Sequence, residues 1–295
     1  MRVPAAVFRH YLPGPQLRPY VCGYMWFTLD GEEPERTVHR FHADGRSETY
    51  FNSADPLLHR MFPGAYTCLT FNFGDPWTFR QDASGTLELK TSWVMGAATR
   101  AGISQYGRHA EALGVMFHAG QAHLFLNTSA ESLTDRMVAL DDLWGSDARA
   151  FEAQLAGFHT PREKIRVLEA ELLRRLRASR TCASLQPLAR WIEDRRGDVT
   201  VARLSELTGV SRQHLARRFK QEIGVSPKQF CRFVRFHALV KHAYFARHLD
   251  WAAIAAEFGY YDQAHLSAEF KEFTGLRPRQ FFPRPLASPA SLAAD

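Results

Sequence analysis

The spacing of apolar residues divides the chain into two parts near residue 160. Before that point, short apolar runs such as CLTFNF, SWVMG and GVMF are broken by Gly, Pro, Asn and Asp, which is typical of β-strands joined by turns. After it, apolar residues recur every three or four positions, which indicates helices. The sequence therefore predicts an α+β chain of two domains, a β-rich one over residues 1–158 and an all-α one over residues 184–283.

One helix is predicted between these domains. Thr160, Pro161 and Glu163 form the pattern of a capping box with proline at the first helical position. Four apolar residues then share one helix face: Ile165, Leu168, Leu172 and Leu176. This face either packs on its own domain or pairs with its copy in a second protomer. Residues 159–183 are therefore predicted as a helix followed by a linker, with dimerisation through the helix as one alternative.

Glycines end most of the helices predicted from residue 185 onward. Each stands where a left-handed C-cap is expected, because glycine adopts that conformation without steric cost: Gly197, Gly209, Gly224, Gly259 and Gly275. The tail, residues 284–295, is rich in Pro, Ala and Ser and is predicted to be disordered.

Two of these helical segments repeat each other. The stretch HLARRFKQEIGVSP, residues 214–227, returns as HLSAEFKEFTGLRP, residues 265–278, with six of fourteen positions identical at an offset of 51. A short helix, a tight turn and a helix capped by Ser211 form a helix-turn-helix pattern, in which the second helix reads DNA. Leu215 and Phe219 share one face of that helix and are expected in the core.

The opposite face of the first copy carries the predicted DNA contacts. Arg217 can make two hydrogen bonds to a guanine edge and Gln213 can do so to adenine, with Ala216 beside them. Phosphates are the expected partners of the flanking polar and basic residues, which add affinity rather than sequence preference: Ser211, Arg212, Arg218, Lys220, Lys228 and Arg232.

The second copy has lost the equivalent side chains. Adding 51 to Gln213 and Arg217 gives Ala264 and Ala268. Gln263 is the remaining candidate base reader, and Lys271, Arg277 and Arg279 are the candidate phosphate contacts. Three acidic residues, Asp262, Glu269 and Glu272, are expected to repel phosphate. The first copy is therefore predicted to read the sequence and the second mainly to position it.

A long helix is predicted between the two copies, from Ser226 to about Phe245. It would span ~30 Å at 1.5 Å per residue, close to the ~34 Å of one DNA turn. Two recognition helices on such a spacer can enter successive major grooves on one face of a duplex.

These C-terminal residues resemble the DNA-binding domain of AraC/XylS-type transcriptional regulators. The resemblance rests on LSELTGVSRQHLARRFKQEIGVSPKQF, the linker helix and IAAEFGYYDQAHLSAEFKEFTGLRPRQFF. It implies two helix-turn-helix units joined by one helix, the first usually the stronger base reader. The chain departs from the family pattern at Ala268 and Glu269, where many members carry basic residues.

The N-terminal part resembles the uncharacterised sensory domain of a subset of that family, through FNFGDPW, SWVMGAATRAG, GVMFHAGQAHLFL and LDDLWG. In the wider family such domains are often cupin-like β-barrels that bind an effector or dimerise. The resemblance thus implies four binding partners: double-stranded DNA, a second copy of the chain in a homodimer, a small-molecule effector and, for an activator, RNA polymerase.

The distribution of charge agrees with a DNA partner. Residues 1–180 hold 20 basic and 20 acidic residues, whereas residues 181–295 hold 17 and 11, so the whole net charge of +6 lies in the C-terminal part. A basic block beside a neutral domain favours a polyanion partner, although a solvated helix face gives the same counts.

Two other functions compete with this interpretation. The first is a metal or catalytic site in a cupin-like N-terminal domain, with His39, His42, Glu48 and His59 as candidates. A cupin metal site usually shows the spacing His-x-His, whereas His39 and His42 have the spacing His-x-x-His. We therefore interpret the three histidines as surface or hydrogen-bonded side chains. The second is a structural, nucleoid-type DNA-binding protein, which would differ from a regulator in binding all DNA sequences with the same affinity. The sequence contains no GxSxG, Walker A, GxGxxG or HExxH motif, so no enzyme activity and no cofactor are predicted.

The spacing of the cysteines and the length of the apolar runs bear on the cellular location of the protein. Cys22, Cys68, Cys182 and Cys231 form no CxxC pair, and we interpret them as free, mostly buried thiols, with redox sensing by one of them as the alternative. No uncharged apolar run approaches the ~18 residues that span a bilayer. A cytoplasmic location without membrane contact is therefore predicted.

Overall fold

The computed structural model describes residues 5–30, 58–81, 85–179, 184–246 and 248–282. Strands fill its first part because β-branched and aromatic residues alternate there with turn residues. Ten strands lie in these described ranges: β1 Ala5–Tyr11, β2 Val21–Asp30, β3 Leu58–Met61, β4 Cys68–Asn72, β5 Trp77–Arg80, β6 Thr86–Leu89, β7 Trp93–Met95, β8 Gly102–Gln105, β9 Glu111–Phe117 and β10 Met137–Ala139.

These strands form two antiparallel sheets. One has the order β1-β2-β9-β4-β7-β10 and the other β3-β8-β5-β6. Phe27 on β2 meets Trp77 on β5 and Tyr106 after β8, with ring centroids 5.3 and 4.4 Å apart, so aromatic packing joins the sheets. The predicted β-rich domain is confirmed, but its described strands make two separate sheets rather than one closed barrel.

The described residues of the N-terminal part also form five helices: α1 His123–Leu126, α2 Ala130–Leu133, α3 Leu140–Trp144, α4 Ser146–Ala156 and α5 Pro161–Ala178. The capping box predicted for α5 is present, with Thr160 and Glu163 bonded to each other's backbone N–H. Leu168 and Leu172 on α5 are fully buried in the core of the N-terminal domain. This apolar face therefore packs on its own domain, and dimerisation stays a prediction that needs another surface.

Seven helices follow between residues 184 and 282, as far as the structure describes them: α6 Gln186–Asp194, α7 Val201–Thr208, α8 Arg212–Ile223, α9 Pro227–Phe245, α10 Trp251–Glu257, α11 Gln263–Thr274 and α12 Pro278–Phe281. Both helix-turn-helix units, α7–α8 and α10–α11, contribute to a single core. The predicted linker helix is α9, which is capped by Ser226. Its Phe230 packs on Phe219 of α8, and its Phe236 packs on Phe270 of α11. The two units are thus held to each other through α9.

Some sequence predictions lie outside the described residues. They concern His39, His42 and Glu48, residues 180–183 of the linker with Cys182, and the tail 284–295. His59 lies on β3, but its side chain is also outside the described set.

Candidate nucleic-acid interface

Helix α8 presents the face that the sequence predicts for reading bases. Its N-cap hydroxyl, Ser211 Oγ, accepts a hydrogen bond from His214 N at 3.2 Å and fixes where the helix begins. Phe219 is fully buried in the core, whereas Gln213 and Arg217 are exposed and Ala216 is half-buried. The helix therefore holds an amide and a guanidinium toward solvent from a rigid, capped frame.

Most of the predicted phosphate contacts are exposed cations. Within the described residues, none of the following makes an ion pair with an acidic side chain: Arg212, Lys220, Lys228, Lys271, Arg277 and Arg279. Gln263, the first residue of α11, is also exposed. These side chains are available to a polyanion, and their DNA contacts stay predictions.

Arg218 has a partner inside the protein. Its Nη2 and Nε lie 2.8 and 3.0 Å from Glu222 Oε1, one turn further along α8. The other carboxylate oxygen of Glu222 accepts a hydrogen bond from Leu185 N, just before α6. The pair braces α8 against the start of α6, so a phosphate contact by Arg218 would compete with this arrangement.

Arg232 is also engaged within the protein. From α9 it reaches two glutamates of α11, with Nε 2.7 Å from Glu269 Oε2 and Nη2 2.6 Å from Glu272 Oε2. Arg235 adds a second cation 3.3 Å from Glu269. Burial alone would lower the pKa of the Arg232 guanidinium, but the hydrogen bonds to Glu272 and Glu269 and the negative charges of both glutamates together raise this pKa above its usual value. We call Arg232, Arg235, Glu269 and Glu272 the α9–α11 ion-pair cluster.

This cluster corrects one interpretation of the sequence. Glu269 was expected to repel phosphate, but its side chain is only 4% exposed and lies between two arginines. Glu272 shares the Arg232 guanidinium, and Asp262 Oδ1 accepts a hydrogen bond from His265 N at 2.7 Å as the N-cap of α11. Glu269 and Glu272 therefore set the orientation of α11 against α9, and Asp262 sets where the helix begins.

Adding a cation to the outward face of α11 is expected to strengthen DNA binding. Ala268 is exposed on α11, and Ala268→Arg should add about one phosphate contact. The affinity for DNA should rise, and the salt slope, which is the slope of log affinity against log salt concentration, should become steeper by about one. Titration of the protein against a duplex at several salt concentrations measures both quantities.

A matched control separates this local effect from a general gain in charge. Ala170 is exposed on α5, in the N-terminal domain, so Ala170→Arg adds the same charge elsewhere. Equal gains in affinity for the two variants would show that α11 does not face the duplex.

The N-terminal domain contacts the first helix-turn-helix unit at the C-terminal end of α8. Thr134 Oγ1, just after α2, donates a hydrogen bond to Gly224 O at 2.7 Å. Gly224 caps α8 with φ +93°, and a Cβ atom there would lie 2.8 Å from Thr134 Oγ1 and 3.1 Å from Ala130 O. Only glycine fits this left-handed position at so close an approach. We call this contact the α2–α8 seam.

The same domain also contacts the linker helix and α12, the helix that follows the second unit. The ring of Phe62 lies 6.2 Å from that of Phe236 on α9 and 5.4 Å from that of Phe281 on α12. His237 Nε2 lies 2.8 Å from Pro63 O, and burial lowers the pKa of this histidine, so the neutral ring donates the hydrogen bond. The N-terminal domain thus touches the first unit, linker helix α9 and the short helix α12 that follows the second unit.

The thiols described are free, as predicted: Cys68 and Cys231 are buried and Cys22 is half-buried. Burial raises the pKa of Cys68 and Cys231 to about 11 and that of Cys22 to about 12. Thiols with such pKa values carry little reactive thiolate at neutral pH. A redox role stays a prediction without support from these values.

The described residues offer neither a metal site nor a membrane-spanning helix. No group of three or more His, Cys, Asp and Glu side chains there could hold a metal ion. No helix in that part of the chain is both long and apolar enough to cross a membrane.

Two family models match separate parts of the chain. Residues 204–284 match a family described as a helix-turn-helix domain, and the matched range covers α8 to α12, including the recognition helices α8 and α11. Residues 9–139 match a domain of unknown function, DUF6597. The two matches fall on the helical and the β-rich part respectively.

The chain is also similar to individual proteins. An uncharacterized HTH-type transcriptional regulator of Haemophilus influenzae is 33% identical over 93 residues, and the match spans 30% of each chain. Among solved structures, ToxT from Vibrio cholerae is 10% identical with a TM-score of 0.45, covering 78% of this chain and 98% of that one. The C-terminal domain of AraT, a response regulator from Geobacillus stearothermophilus, is 26% identical with a TM-score of 0.31, covering 35% and 90%.

Proposed function

We propose that this chain, whose C-terminal part is a helix-turn-helix domain of the AraC type, is a sequence-specific DNA-binding transcriptional regulator. The observation that carries the proposal is helix α8. It is capped at both ends, anchored by Leu215 and Phe219 in the core, and exposes Gln213 and Arg217. Such a helix in the major groove can distinguish bases through hydrogen bonds to their edges.

The two units have unequal roles in this proposal. Helix α8 reads bases, whereas α11, with Ala264 and Ala268 outward, mainly fixes position on the duplex. Linker helix α9 has 19 residues, which corresponds to about 28 Å of axial length. Because one core holds both units, that spacing is rigid and suits two successive grooves on one face.

Regulation would pass through the contacts of the N-terminal domain. The α2–α8 seam joins this domain to the first unit, and the Phe62 contacts join it to α9 and α12. A small-molecule effector that alters the domain would therefore shift how the recognition helices are presented, provided that it binds the two arrangements with different affinity. Homodimerisation, contact with RNA polymerase in activation, and a cytoplasmic location belong to the same proposal. Catalysis does not.

Two substitutions on α8 test the assignment of the base reader. Arg217→Ala should remove ~1–3 kcal/mol of discrimination at one base pair, because a bidentate contact to a base edge is lost. Lys220→Ala should weaken all sequences alike and lower the salt slope by about one, because only a phosphate contact is lost. Selection of binding sites from a random duplex library, repeated for each variant, gives the preferences.

The two variants control for each other, since both remove one exposed cation from the same helix. An unchanged base preference in Arg217→Ala would show that Arg217 is not the reader. A wild-type protein without preference would instead favour the nucleoid-type alternative.

A further inference from the structure

The turns of the two helix-turn-helix units differ in length by one residue. Gly209 and Gly259 both adopt a left-handed conformation after the first helix, with φ +68° and +69°. The N-cap of the recognition helix is Ser211 in the first unit and Asp262 in the second. One residue therefore lies between glycine and N-cap in the first unit, and two residues lie there in the second.

The extra residue of the second turn, Tyr261, lies in solvent. In the first unit the single turn residue, Val210, packs against the helical core. In the second unit Tyr260 takes that place and is only 6% exposed, whereas Tyr261 is 93% exposed. An aromatic ring normally buries 150–250 Å², so a tyrosine held almost wholly in water is unusual unless a partner covers it.

The backbone that carries this side chain is anchored. Tyr261 N donates a hydrogen bond to His265 Nδ1 at 3.3 Å, and the His265 ring packs against the ring of Tyr260 with centroids 5.4 Å apart. Within the described part of the chain, the Tyr261 side chain itself makes no hydrogen bond and no ring contact. A fixed main chain thus presents a free phenol group.

We propose that the Tyr261 hydroxyl donates a hydrogen bond to a DNA phosphate beside the groove that α11 enters, which rests on the proposed DNA-binding function. Tyr261 stands just before the N-cap of α11, and in a helix-turn-helix this end of the recognition helix lies at the DNA. Tyrosine hydroxyls are among the usual donors to phosphate oxygens.

Each acidic side chain at this end of the second unit already has a partner within the protein. Asp262 is committed to His265 N, and Glu269 and Glu272 are paired with Arg232. The exposed side chains on the same helix include Gln263 and Lys271, a neutral donor and a cation. A neutral phenol donor would give the second unit a specific position on the backbone without the arginines that the first unit carries.

The test compares Tyr261→Phe and Tyr261→Ala with the full-length wild-type protein on the duplex that the wild type selects. Both variants should bind about tenfold more weakly, because each loses a hydrogen bond to a charged oxygen. The salt slope should not change, because a neutral donor releases no counterion. The fold should be unaffected, since the side chain is 93% exposed. Leu87→Ala, at an exposed position on β6 of the N-terminal domain, is the control and should bind as the wild type does.

A second measurement locates the partner. Methylphosphonate groups, in which a methyl group replaces one oxygen and removes the charge, are introduced one at a time along the duplex, and at one position the loss caused by Tyr261→Phe should become clearly smaller. Wild-type affinity in Tyr261→Phe, or a loss of the same size at every methylphosphonate position, would overturn the phosphate contact. A wild-type protein that selects no duplex would overturn the proposed function itself.

Discussion

Replacing Glu269 with glutamine is expected to lower the free energy of unfolding by about 3 kcal/mol. The side chain is 4% exposed and lies 2.7 Å from Arg232 Nε and 3.3 Å from Arg235 Nη2. Glutamine keeps the size but removes the charge, which leaves two guanidinium groups facing each other without their shared counterion. Urea denaturation measures the loss as a lower midpoint at an unchanged slope.

Glu272 supplies the control for this experiment. It lies 2.6 Å from the same Arg232 guanidinium, but its side chain is 58% exposed. Because exposed ion pairs contribute little, Glu272→Gln should cost no more than ~1 kcal/mol. Equal losses for the two variants would contradict the view that the α9–α11 ion-pair cluster holds the second recognition helix through Glu269.

Replacing Gly224 with alanine is expected to loosen the N-terminal domain from the first helix-turn-helix unit. The left-handed conformation at φ +93° costs a non-glycine residue ~1–2 kcal/mol. The new methyl group would also meet Thr134 Oγ1 at 2.8 Å and Ala130 O at 3.1 Å, and such overpacking costs a further ~1–3 kcal/mol. Hydrogen exchange followed by mass spectrometry should show faster exchange in α2.

The repeat offers a matched control for Gly224. Gly275 is its copy at the offset of 51, caps α11 with φ +76°, and has nothing within 4 Å of the position of a Cβ atom. Gly275→Ala should therefore show the conformational cost alone and leave exchange in α2 unchanged. If the two alanine variants lose the same stability and α2 is unaffected in both, the α2–α8 seam does not couple the domains.

Local patterns predicted much of this architecture. The capping box at Thr160, the linker helix after Ser226 and the glycine stops were visible in the sequence because each depends on a few neighbouring residues. The division into a β-rich and a helical part followed from the period of the apolar residues. The residue limits of the domains stay predictions.

The role of Glu269 could not be predicted from such patterns. Charged residues are rarely buried unless they are paired, so a glutamate on a helix was placed at the surface. Its partners Arg232 and Arg235 lie 37 and 34 residues away. Only the packing of α9 against α11 brings them together, and no local period encodes that contact.

The contacts between the domains were missed for a related reason. Thr134 and Phe62 are single residues without a motif, and their partners Gly224 and Phe236 lie far along the chain. A signal was present only at Gly224, which the sequence marked as a helix stop. The exposure of Tyr261 was likewise hidden, although the longer second turn can be counted between Gly259 and Asp262.

Binding-site selection with the full-length protein tests the central claim most directly. Duplexes with random sequence over two successive major grooves are selected by the wild type, and the affinity of the winner is compared with that of unselected DNA at one salt concentration. A regulator that reads bases through α8 should prefer its site by ~10³-fold or more, with the sequence preference concentrated in one groove. Equal affinity for selected and unselected duplexes would contradict the account.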